Sequence, residues 1–338
     1  MTKVRFDQIA KEVRNTFSGD KAGVPIVGLE HIIPNELLLS DHDIDTENTF
    51  TKAFKKGQIL FGRRRAYQQK AAVATFDGIC SGDITVIEPL NGAVCPELLP
   101  FIIQNERFFE HAVRGSAGSL SPRVKWEHLA SYEIELPSYE EQVKLANELW
   151  AAYNLKTSYK TLLVSIDEMV KSQFIEMFSD VPKVGINTLV DTIWGSSPDS
   201  KTYNDTGEGV PFYQGKTEFG DLYINAPVTF CTAPVKMAKA NAILMSVRAP
   251  VGAVNIATQD CCIGRGLASI TPKEGKSTAM FIYYALKYME EDIDRLGTGS
   301  TFKAINKESY AKIQMPNAEI SDQTKFVSIA EQADKSKF

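Results

Sequence analysis

The sequence predicts an α+β chain: two tandem mixed α/β domains separated by a long amphipathic helix, with a second, shortened helix at the C-terminus. Three observations carry this expectation. Ordered sequence echoes divide the chain into two halves. Within each half, short apolar runs bounded by Gly, Asp or Pro precede a helix-like segment. Between the halves, about 39 residues keep apolar side chains at three- and four-residue intervals. The expected boundaries are a first domain at 1–137, a spacer helix at 138–179, a second domain at 180–317 and a C-terminal helix at 318–338.

The echoes keep their order. GVPIVGLEHI at 23–32 answers GVPFYQGKTEF at 209–219, and GQILFGRRRA at 57–66 answers NAILMSVRAP at 241–250, setting Arg64 against Arg248. RGSAGSLSPRVKWEHLASYEIELP at 114–137 answers RLGTGSTFKAINKESYAKIQMP at 295–316. The offset drifts by only a few residues, as small insertions and deletions produce.

The elements follow from these patterns. Gln58–Phe61, Ile84–Glu88, Ala242–Val247 and Leu267–Thr271 are strand-like, and 96–113 and 277–295 are helix-like. Pro137 closes the last strand of the first half, and Ser138 with Glu141 forms a capping-box pattern that opens the spacer helix. Trp150, Tyr159, Leu163, Ile166, Met169 and Phe174 fall on its apolar stripe and are candidate partner-helix contacts. After Pro316 the segment SDQTK repeats the SYEEQVK opening and starts the same apolar pattern.

Composition narrows the function classes. A chain of 338 residues that is 43% hydrophobic can bury about two cores, which excludes disorder. No apolar run approaches the roughly 18 residues that cross a bilayer, and the charged N-terminus is unlike a signal peptide, so a cytoplasmic protein without membrane contact is expected. The five cysteines form no CxxC and the four histidines no HxxxH or HExxH, so neither a disulfide framework nor a metal site is expected. No phosphate-binding GxxxxGK[ST], dinucleotide-binding GxGxxG or nucleophile-elbow GxSxG occurs, and Pro198-Asp199 reads as a turn rather than as part of a nuclease motif.

The net charge is −5, yet the positive charge is clustered. Asn48–Phe76 holds no acidic residue and seven Lys or Arg, and Leu222–Gln259, His111–Trp126 and Arg295–Lys307 are also free of acids. Arg63, Arg64 and Arg65 followed by Tyr67, Gln68, Gln69 and Lys70 combine side chains that pair with guanine and adenine edges with an aromatic, a mixture suited to base reading. The glycine-serine loops at 115–125 and 297–307 add Ser116, Ser119, Arg123 and Lys125 in one half and Ser300, Thr301 and Lys303 in the other, suited to phosphate contacts. Lys216 and Arg248 complete the candidate DNA-binding set; a solvated turn is the plain alternative for each segment.

The order of these motifs, with GLEHI near the start, GDITVIEP, a glycine-serine loop before IELP and an EEQ helix, all duplicated, resembles the specificity (S) subunit of type I restriction-modification systems. The resemblance implies a non-catalytic reader of a bipartite, asymmetric site in double-stranded DNA, with two target-recognition domains and helices that form a coiled coil. It also implies docking of methyltransferase subunits and a restriction subunit, which would hold the S-adenosylmethionine, ATP and Mg chemistry. The family's second helix usually matches the first in length, whereas only a short segment follows Asp322, so self-association through the long helix is a further expectation. The competing readings are a DNA-processing nuclease or methyltransferase, which would act alone, and a tandem interaction scaffold, which would show no salt-dependent DNA binding.

Overall fold

The computed structural model describes residues 2–118, 120–299 and 303–336. The chain divides into two compact units, Met1–Ser158 and Tyr159–Phe338. None of the described helices is long and apolar enough to cross a membrane.

The first unit is built on a five-stranded sheet ordered Ala10–Val13, Ile84–Pro89, Ile59–Gly62, Ala71–Ala74 and Leu38–Leu39, antiparallel except at its last pair. A three-stranded sheet sets Gly78–Cys80 between Ile26–Val27 and Lys52–Phe54. Ile59–Gly62 is buried on both faces, as its unbroken apolar run dictates. Helices Leu99–Ile103 and Glu106–Arg114 cover the sheet, and Phe108 and Phe109 meet Phe61 at ring-centroid distances of 5.9 and 5.5 Å. The unit's ends are tied by Thr2–Arg5 against Glu133–Leu136.

The second unit repeats this plan. Val190–Trp194, Leu267–Pro272, Ile243–Ser246 and Val254–Ile256 form a sheet in which Ile243 faces Ile270 as Ile59 faces Ile87 in the first unit. Phe212 pairs in parallel with Cys262, the counterpart of Ile26 with Ile79. Lys183–Gly185 pairs with Gln314–Pro316 and ties the ends. The strand-like segments and 96–113 fall in these elements, 277–295 forms the helices Ala279–Tyr288 and Glu290–Arg295, and the mixed α+β class is as expected.

One helix, Tyr139–Phe178, runs for 40 residues. The capping box forms: Ser138 N donates to Glu141 Oε2 at 3.0 Å, and Glu141 N donates to Ser138 Oγ at 3.4 Å. One turn in, the buried Gln142 accepts from Cys95 N and donates to the Pro137 carbonyl. The helix Ile320–Lys335 repeats the device with Gln323, which accepts from Ser277 Oγ and Thr278 N and donates to the Ala318 carbonyl. Each glutamine satisfies backbone groups that burial would otherwise leave unpaired.

The expected partner stripe does not survive as one surface. Phe174 is 7% exposed and packs among Phe178, Phe281 and Phe326 inside the second unit, and Ile166 packs against the same core. Trp150 lies against Phe101 and donates from Nε1 to the Glu97 carbonyl in the first unit. Period alone cannot say which apolar side chains a helix spends on its own domain. Tyr159, Leu163 and Met169 remain exposed, together with Leu162 and Val164.

Phe174→Ala is therefore expected to cost about 3–5 kcal/mol of unfolding free energy. Gln323→Leu should cost about 1–3 kcal/mol by orphaning its partners, and Tyr159→Ala should stay within about 0.5 kcal/mol of the wild type. Denaturant unfolding of the full chain checks all three.

Candidate nucleic-acid interfaces

In the first unit, the strand Ile59–Gly62 runs into Arg63, Arg64 and Arg65, and the loop after Glu106–Arg114 folds back on them. Arg64 forms an antiparallel bridge with Arg123, closed by Arg65 N to the Pro122 carbonyl at 2.8 Å and Val124 N to the Arg63 carbonyl at 3.0 Å. Arg123 also pairs with Ala117, and the adjoining Gly118 has φ +117°, a left-handed conformation that favours glycine.

The second unit reproduces the staple. Arg248 bridges Ala304, with Ala249 N to the Lys303 carbonyl at 2.8 Å and Ile305 N to the Val247 carbonyl at 3.0 Å. Thr298 pairs with Ala304, and the adjoining Gly299 has φ +113°. The alignment of Arg64 with Arg248 is thus a structural equivalence.

The side chains differ. Arg64 and Arg123 converge on Asp83, whose carboxyl is held below the usual carboxylate range chiefly by the hydrogen bond from Arg123. The second unit has Gly266 where the first has Asp83: Val247 N donates to the Gly266 carbonyl at 2.9 Å, as Arg63 N does to that of Asp83. Arg248, and Arg265 just before Gly266, are both exposed, and neither pairs with a carboxylate among the described residues. Arg265 was not legible as a candidate, because a lone arginine in a Gly-Arg-Gly turn has no periodic signal.

The remaining candidates divide by their hydrogen bonds. After Arg65, a single 3-10 turn, Ala66–Gln68, lies between two left-handed residues, Arg65 (φ 54°) and Gln69 (φ 53°), a conformation costly for non-glycine side chains. It leaves Arg65 and Tyr67 exposed and Gln68 and Gln69 half-buried. Lys70 Nζ instead donates to the Leu29 carbonyl at 2.6 Å, so its charge is anchored to the fold. Ser116 Oγ is engaged by the Ala112 carbonyl, while Lys125 is exposed at the start of helix Trp126–Ala130. Lys303 pairs with Asp294, whose carboxyl it lowers, and Lys216 is exposed in a separate 3-10 turn, Lys216–Glu218. Ser119, Ser300 and Thr301 lie outside the described residues.

A histidine clasp closes the base of the 115–125 loop. His111 and His128 stack at 4.1 Å and 14°, and each Nε2 lies 2.8 Å from the other's backbone carbonyl oxygen. Burial, opposed by the hydrogen bond to the His128 backbone carbonyl and aided by the charges of His128 and Arg114, holds the His111 pKa below its ordinary 6.5. The folded chain therefore binds fewer protons than the unfolded chain, and stability from this site is present above pH 6.5 and lost as pH falls through the lowered value. Lowering the pH from about 8 to about 5 is expected to raise amide exchange in 115–125, relative to intrinsic rates, and His111→Gln should flatten that dependence.

Comparison with known proteins agrees with this architecture. The profile of the type I restriction modification DNA specificity domain matches twice, at residues 10–166 and 183–338. The protein designated the MjaX type I restriction enzyme specificity subunit of Methanocaldococcus jannaschii is 30% identical over 337 residues, 90% of this chain and 79% of that one. The EcoDI specificity subunit of Escherichia coli is 25% identical over 187 residues, 52% of this chain and 40% of its own. A chain solved in work on the complex assembly and conformational transition of the type I R-M system superposes with a TM-score of 0.61 at 26% identity, covering 99% of this chain and 90% of that one. The S subunit from M. genitalium shares the fold with a TM-score of 0.61 at 16% identity and the same coverages. Two copies of the domain, each with its own stapled arginine loop, match this family along nearly the whole chain: the protein belongs to the type I restriction-modification specificity subunits.

Proposed function

We propose that each unit reads one half of a bipartite, asymmetric DNA site through its stapled arginine: Arg64 with Arg123 in the first unit, Arg248 with Arg265 in the second. The observation that carries this is the duplicated bridge, which sets an arginine at the end of a buried strand in both units while the surrounding side chains differ. A common backbone frame with unlike side chains is what two half-sites of different sequence require. Arg65, Tyr67, Gln68, Gln69 and Lys125 extend the first surface, and backbone-directed contacts set its register.

A specificity subunit is non-catalytic. Methyl transfer from S-adenosylmethionine, ATP-driven movement and Mg-dependent cleavage are assigned to the methyltransferase and restriction subunits that assemble with it. The exposed Tyr159, Leu162, Leu163 and Met169 form the face offered to a methyltransferase subunit, since exposed apolar clusters mark partner surfaces. Self-association through that face is the second reading, favoured by the same exposure. All five cysteines are free and buried, which supports a reducing, cytoplasmic setting.

Two outcomes test this. Exchanging residues 1–137 for those of a related chain should change one half-site in a map of methylated genomic positions and leave the other intact; simultaneous change of both would defeat the modular reading. Leu162→Glu with Leu163→Glu should abolish co-purification with the methyltransferase subunit, with each unit's thermal transition retained.

A further inference from the structure

The first unit's arginine pair is built on a carboxylate that the second unit lacks. Arg123 Nε and Nη2 reach Asp83 Oδ1 and Oδ2 at 2.6 and 3.2 Å, and Arg64 Nη1 reaches Oδ2 at 3.5 Å. Arg64 Nη2 also donates to Ser121 Oγ at 3.0 Å. The Asp83 side chain is 19% exposed, against 38% for Arg64 and 46% for Arg123. The carboxylate is thus the floor and the two guanidiniums are the rim.

Folding stability does not explain this arrangement, because ion pairs this exposed contribute little. Orientation does. An arginine reads a guanine edge only when its planar fork is aimed, and a guanidinium already tied along one edge has less side-chain freedom to lose on binding. Asp83 also screens two like charges that would otherwise splay apart. In the second unit a Cβ on Gly266 would lie 2.4 Å from the Gln214 carbonyl oxygen, so the backbone leaves no room for a side chain there. Arg265, the residue before Gly266, adds an exposed cation to this turn.

We propose that Asp83 is a positioning residue that determines specificity: it fixes Arg64 and Arg123 for base reading in the first half-site, whereas Arg248 and Arg265 meet the second half-site with no carboxylate among the described residues to aim them. The proposal rests on the assignment of Arg64 and Arg123 to DNA contact. It separates two quantities that a merely structural residue would move together. Loss of the Asp83 charge makes the surface more positive and so favours non-specific binding, while freeing the arginines lowers discrimination.

The test uses the full chain with its methyltransferase subunit, selecting duplexes from a random-sequence library and then measuring affinity against salt for the selected duplex, its one-base variants and an unrelated duplex. Wild type is compared with Asp83→Asn, Asp83→Glu, Arg64→Ala and Arg123→Ala; the half-site altered by Arg64→Ala defines the first. Asp83→Asn is expected to cut discrimination at that half-site about tenfold while binding to the unrelated duplex is unchanged or tighter, with Asp83→Glu restoring most of the loss. Full discrimination in Asp83→Asn, with losses in both arginine variants, would overturn the positioning role and leave the DNA assignment standing. An equal loss of specific and non-specific binding in Asp83→Asn, accompanied by a lowered melting temperature, would overturn it in favour of a folding role. Unaltered selection by both arginine variants would remove the assignment and the proposal with it.

Discussion

A short backbone pairing between segments far apart in sequence holds each candidate DNA-facing loop in place. Arg64 with Arg123, and Arg248 with Ala304, join a strand end to a loop more than 50 residues later. Ordering such a loop is entropically costly, and the two hydrogen bonds that flank each bridge would be weak if the strand end were mobile. It is not, because Ile59–Gly62 and Ile243–Ser246 are buried along their whole lengths at the centre of their sheets. The core fixes the strand, the strand fixes the staple, and the staple aims the arginines.

The electrostatic design follows from the same frame. A chain with a net charge of −5 avoids indiscriminate attachment to phosphate, which a uniformly basic surface would gain through counterion release. The candidate DNA-facing arginines instead sit where the backbone is already positioned. Even there the first unit tempers it with Asp83, and the second ties Lys303 to Asp294. The two surfaces therefore differ in electrostatic character while sharing one backbone, which allows one fold to serve two unlike half-sites.

Much of this was legible in the sequence because duplication preserves order: the echo that paired GRRRA with SVRAP predicted the equivalence of Arg64 and Arg248 before any contact was known. The capping box at Ser138 and the long helix were legible for local reasons, since capping and helical period depend on near neighbours. Asp83 and Gly266 were not, because their importance arises from a turn brought against a distant strand end. Lys70 counted among the candidate DNA contacts in the sequence, and its Nζ donates to the Leu29 carbonyl, a contact across 41 residues. Phe174 and Trp150 carried the right period for a partner stripe, yet each is packed within its own unit, because period reports an apolar face and not what covers it. The roles of Gln142 and Gln323 were hidden similarly: each is an ordinary polar residue in a first helical turn until burial makes its hydrogen bonds obligatory.

The central claim is that two separately stapled arginine loops meet DNA. Hydrogen exchange of the full chain with its methyltransferase subunit, with and without the duplex carrying its methylation site, tests it most directly. Protection confined to peptides covering 63–70 and 115–125 in the first unit, and 247–249, 264–266 and 297–305 in the second, is the predicted result. Protection in one unit only, or on surfaces away from these loops, would contradict the account.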